Sequence, residues 1–149
     1  MATFEQLQKA NETIRTTDIK GKNYAEVNQR VKAFRMVYPN GLIETEMLSL
    51  ENGVCVFRAK AYSEENGDML ATGTAEESKD SSYINKTSYV ENCETSAVGS
   101  CLGFAGFGID TSICSAEELT TALEKQDAEK EAGKPITKVQ VKRDRKSVV

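Results

Sequence analysis

The sequence predicts an α+β fold: a three-stranded antiparallel β-meander packed on one face by a glycine-bearing helix, with additional N- and C-terminal helices. Three observations carry this. Between Leu42 and Ala75 the apolar residues recur with a period of two, in runs separated by Asn-Gly turns. From Ser88 to Asp110 the period becomes three to four, set by Val90, Cys93, Ala97, Val98, Cys101, Leu102 and Ala105. A chain of 149 residues with 39% hydrophobic content suits one domain that buries its own core.

The elements follow in order. Thr3 with Gln6 reads as a capping box, and Phe4, Leu7, Ala10 and Ile14 continue at helical spacing to about Arg15. Thr16 to Lys22 reads as a surface loop around Lys20-Gly21-Lys22, the alternative being a mobile basic turn that touches a phosphate. Asn23 and Glu26 form the next capping pair. Val27, Val31, Phe34, Val37 and Tyr38 then make an amphipathic helix that stops at Pro39-Asn40-Gly41. Strands are expected over Leu42 to Leu50, Val54 to Tyr62 and Met69 to Ala75. In the middle strand Cys55, Phe57, Ala59 and Ala61 point one way, and Val54, Val56, Arg58, Lys60 and Tyr62 the other.

The first of these faces is small and apolar, as are Met69, Ala71, Gly73 and Ala75, so a helix can lie close on it. Gly99 and Gly103 share one side of the following helix, each costing about 1 kcal/mol relative to Ala. A close approach to the sheet would justify that cost. Glu76 to Thr87 is a polar crossing, and Gly106-Phe107-Gly108 ends the helix. Ser115-Ala116-Glu117-Glu118 opens a last helix, solvated by six acidic and two basic residues between 117 and 131, which Gly133-Lys134-Pro135 closes. Residues 1–133 thus read as one domain and 134–149 as a flexible basic tail.

Composition removes several function classes. Cys55, Cys93, Cys101 and Cys114 form no C-x-x-C pair, and no histidine is present to complete a zinc site, so buried free thiols in a reducing cytosol are expected. The absence of histidine also removes Ser-His and Cys-His nucleophile systems, and no P-loop or G-x-G-x-x-G spacing occurs. Paired carboxylates such as Glu44 and Glu46 share a strand face and could hold Mg²⁺, but no further ligand at a suggestive spacing accompanies them, and they read as solvent-facing charges. No enzyme and no cofactor are therefore expected. No apolar run reaches the roughly 18 residues of a membrane span, and the first dozen residues lack a signal-type apolar core. A cytoplasmic protein is the expectation. Charge is uneven: residues 134–149 carry +5 and the first 133 carry −9, within a net −4.

The helix that ends in Tyr38-Pro39-Asn40-Gly41, together with Tyr89 to Gly108, resembles the Erf-like single-strand annealing proteins of phage recombination. In the second stretch the pattern rests on Ala97, Gly99, Leu102, Gly106 and Gly108. The similarity spans about 100 residues. It departs at Ser100, where proteins of this layout often carry arginine. The resemblance implies single-stranded DNA as partner, assembly into homo-oligomers, and strands held by the backbone with bases free to pair. Its implied contacts here are Lys20, Lys22, Arg30, Lys32, Arg35, Arg58, Lys60 and Tyr62, plus Lys79 and Lys86 on the crossing. The acidic body supports an alternative: an anti-CRISPR-like inhibitor that binds a host nuclease through an acidic surface on the same fold, carried by the crossing and the 117–131 helix.

Overall fold

The computed structural model describes residues 2–109 and 111. Their order is α1 (Phe4–Glu12), β1 (Thr16–Ile19), β2 (Lys22–Ala25), α2 (Val27–Val37), β3 (Leu42–Glu51), β4 (Val54–Tyr62), β5 (Met69–Ser78) and α3 (Asn85–Phe104). The fold is α+β, and β3, β4 and β5 form an antiparallel meander in that order. The helix expected over 115–131, the boundary at 133 and the basic tail lie outside the described residues.

Local chemistry explains most boundaries. The Thr3 hydroxyl accepts from the Gln6 backbone N–H at 3.2 Å while Gln6 Oε1 accepts from the Thr3 N–H at 2.9 Å, closing the capping box of α1. At the end of α2, Pro39 cannot continue the ladder and the chain turns into β3. The β3–β4 connection is a two-residue turn with Asn52 at φ 53° and Gly53 at φ 75°, the left-handed pair that tight hairpins require.

Two expectations are corrected here. The segment read as a surface loop is a second, two-stranded hairpin, in which Thr16 pairs with Ala25 and Ile19 with Lys22. Its tip is Lys20-Gly21, fastened by the Gly21 N–H on Asp18 Oδ1 at 2.9 Å. Asn23 therefore lies in β2 and caps nothing; α2 begins after Glu26, which makes no side-chain cap bond.

The core lies between the sheet and the helices. Cys55, Phe57, Ala59 and Ala61 of β4 are all buried, and α3 packs across β5 and β4 with Cys93, Ala97, Cys101 and Leu102 against them. The close approach is supplied from the sheet side. A Cβ on Gly73 would stand 2.3 Å from the Cys101 backbone nitrogen and 2.7 Å from the Ala97 carbonyl oxygen. Gly99 instead faces α2, where a Cβ would meet Val27 Cγ2 at 2.8 Å. Phe34, Tyr38 and Phe107 complete the core as an aromatic cluster with centroids 5.6–6.5 Å apart. Met69 leaves the expected face: a register shift sets it opposite Tyr62, and it is exposed.

Candidate nucleic-acid interface

β4 is the central strand, so alternation sends every second side chain to the face away from α3. Arg58, Lys60 and Tyr62 stand there in a row. The register fixes their neighbours: Arg58 lies between Glu46 and Thr74, Lys60 between Glu44 and Thr72, and Tyr62 between Leu42 and Met69. Directly opposed side chains start about 5 Å apart at Cβ, within the reach of charge pairs. A recess of about 280 Å³ at this edge is lined by Glu44, Thr45, Glu46, Arg58 and Lys60.

On this face the cations are outnumbered. Arg58 and Lys60 share it with Glu44, Glu46, Glu51 and Glu76. The carboxylates partly cancel the field that two cations would present to a phosphate backbone. Sequence alternation shows what each strand presents, but not which residues the register sets opposite one another. Thr72 and Thr74 add hydroxyls beside the cations, and Tyr62 offers the ring.

The ten expected contact residues fall into separate places. Lys20 and Lys22 sit at the tip of the β1–β2 hairpin. Lys32 and Arg35 are exposed on α2, which packs on α3 and so belongs to the helix layer, away from the open face. The Arg35 guanidinium also donates to the Gly41 carbonyl and lies 5.3 Å from the Phe34 ring centroid, tying α2 to the start of β3. Lys79 and Lys86 are exposed on the crossing and at the start of α3, with Lys86 Nζ 5.8 Å from the centroid of the exposed Tyr83 ring. The Lys79 N–H bonds to the Gly53 carbonyl at 2.7 Å, which fastens the crossing to the β3–β4 turn.

Arg30 is not a surface cation. It has 0% exposure, and its Nη1 donates to the carbonyls of Phe107 and, at 3.3 Å, Gly108, while Nη2 donates to Thr111 Oγ1 at 3.2 Å. Asn11 holds the same turn from the other side: its Nδ2 donates to the Gly106 carbonyl at 2.9 Å and its Oδ1 accepts from the Gly108 N–H at 2.8 Å. Asn85 does similar work on the crossing. Buried, it donates to Glu77 Oε2 and Ser81 Oγ and accepts from Asn92 Nδ2. Sequence reading assigned Asn11 and Asn85 no role, because a buried hydrogen-bond partner far along the chain leaves no local pattern.

The cysteines have structural surroundings. Cys55, Cys93 and Cys101 are free and buried, and Cys114 lies outside the described residues. Burial first, and the neighbouring Cys55 second, push the Cys93 thiol up to about 12, and burial pushes Cys101 up to about 11. Neither is a thiolate nucleophile near neutral pH. Among the described residues no group of three His, Cys, Asp or Glu side chains is placed to hold a metal ion, and no helix is long and apolar enough to cross a membrane.

Comparison with known proteins gives one family. Residues 31–105 match the family model described as Slr1353 N-terminal dsRNA-binding domain-like, which is half of the chain and runs from within α2 through the whole meander to the C-cap of α3. No curated protein matches the chain.

Proposed function

Because the chain belongs to the Slr1353 N-terminal dsRNA-binding domain-like family, we propose that it binds nucleic acid without covalent chemistry, through the open face of β4. The ligand we assign is a single strand, held as in an annealing protein, by homo-oligomers in the cytoplasm of a bacterial host. The observation that carries this is the row Arg58, Lys60, Tyr62 on the side of the central strand that faces away from α3, flanked by Thr72 and Thr74. Cations and hydroxyls contact phosphates, and an aromatic ring accepts a base without regard to sequence. Lys79 and Lys86, with Tyr83 beside Lys86, extend the same chemistry onto the crossing. A rigid double helix would be recognised by shape, across successive grooves. One flat face with two cations suits a flexible strand better.

The test is fluorescence-anisotropy binding of labelled single-stranded DNA, duplex DNA and duplex RNA of equal length at about 50 mM salt, followed by annealing of complementary strands. Tighter binding of the single strand and faster annealing are expected. Preference for duplex RNA would instead support the activity that the family description names.

The carboxylates on the open face support a second reading. Glu44, Glu46, Glu51 and Glu76 would suit the basic channel of a host nuclease, as an anti-CRISPR-like inhibitor requires. Absence of binding to all three nucleic acids at low salt is the result that favours it.

A further inference from the structure

β3 is an edge strand. Its ten residues pair with β4 on one side, and the sheet order leaves the other side without a partner among the described residues. Edges of that length offer a row of free N–H and C=O groups, and proteins commonly guard them with lysine, proline or a cover. β3 contains neither lysine nor proline; its guards are a bulge between Met47 and Ser49 and three glutamates, and Glu44 through Glu51 are all exposed. Its side chains sort by face. Glu44, Glu46 and Glu51 lie on the open face; Met47 (43% exposed) and Leu50 (48%) lie on the inner face, opposite Phe57 and Cys55. α3 lies mainly over β5 and β4 and meets β3 where Thr45 Oγ1 donates to Glu94 Oε2 at 2.6 Å. Met47 and Leu50 thus continue the apolar inner face beyond the cover of the helix. An occupant that fits is an extended segment with apolar residues on one face and cations on the other.

The chain carries such a segment. Residues 136–143 read Ile-Thr-Lys-Val-Gln-Val-Lys-Arg, rich in β-branched residues. In an extended conformation Val139 and Val141 share one face, and Lys138 and Lys142 share the other. Reach is ample: the 25 residues from Thr111 to Ile136 can span ~80 Å extended, against a radius of gyration of ~13 Å for a domain of about 100 residues. A second copy fits less well. Its own β3 would set carboxylates against carboxylates, and β5, the other edge, bears Glu76 and Glu77 and no cation.

We propose that residues 136–143 add to the β3 edge as a fourth strand. Val139 and Val141 then extend the apolar face beside Met47 and Leu50, and Lys138 and Lys142 lie beside the carboxylates of Glu44, Glu46 and Glu51. The tail becomes a built-in cover for the β3 edge, which carries three carboxylates on the open face.

Amide hydrogen exchange on the full chain, at two protein concentrations, tests this. Val139→Pro with Val141→Pro removes two ladder donors and alters none of the described residues. Amides of β3 that point away from β4 should exchange at least ten-fold faster in that variant, with β4 amides unchanged. Lys138→Glu with Lys142→Glu should do the same, and adding Glu44→Lys with Glu46→Lys should restore protection. Equal β3 exchange in the wild type and the proline variant overturns the proposal. So does β3 protection that rises with protein concentration, which assigns the edge to a second copy.

Discussion

Arg30 brings a permanent charge to a position with no solvent exposure, and the carbonyls of Phe107 and Gly108 and the Thr111 hydroxyl receive its protons. A guanidinium suits this because its planar fork reaches several acceptors at once. Arg30→Met should cost about 3 kcal/mol, since each buried carbonyl left unsatisfied costs roughly 1–3. Arg30→Lys should recover little of it, and urea unfolding measures both. The signal for this burial was in the sequence: Arg30 lies three residues after Val27 and four before Phe34, on the apolar stripe of α2. The resemblance instead places it among the nucleic-acid contacts. At the same scale, the raised thiols of Cys93 and Cys101 give stability a pH dependence. Their folded values of about 12 and about 11 exceed the ordinary 9.0, so folding favours the protonated thiol. That contribution is complete below about pH 9 and is lost as pH rises from there through the folded values. The urea midpoint should therefore stay level from pH 7 to 8.5 and fall between pH 9 and 11.

Among the elements, β5 and α3 approach closely at Gly73. Gly73→Ala would drive a methyl into the backbone of Cys101 and Ala97, at 2.3 and 2.7 Å, where no side chain can turn aside. A loss of about 3 kcal/mol or more is expected, at the upper end for overpacking. Gly99→Ala meets one side-chain methyl of Val27 and gains up to about 1 kcal/mol of helix propensity, so its thermal shift should be clearly smaller. The three long strands and α2 were legible because period-two runs, Asn-Gly turns and Pro39 each act locally. The β1–β2 hairpin was not, since its four-residue strands are mostly polar and its turn is Lys-Gly. The partner of Gly99 was not legible either: helix spacing shows that a glycine lies on one side of α3, not whether α2 or the sheet occupies that side. At the site, alternation placed Arg58, Lys60 and Tyr62 together on one face, whereas the carboxylates beside them depend on the register between strands.

At the scale of the whole molecule the charges are divided between parts. The first 133 residues carry −9 and the last sixteen +5, and a tail strand on the β3 edge would set those opposite charges side by side. Nucleic acid then has to be held by a few cations on a predominantly acidic body, so the salt dependence of its affinity counts the phosphates those cations contact. For single strands the slope of log K against log salt is about −0.7 per phosphate contact. The most direct test of the open face is this slope for single-stranded DNA, measured with the wild type and with Arg58→Ala/Lys60→Ala. We predict weaker binding by the variant and a slope shallower by about 1.4, the loss of two phosphate contacts. An unchanged affinity and slope would contradict the account and remove the open face of β4 from the binding site.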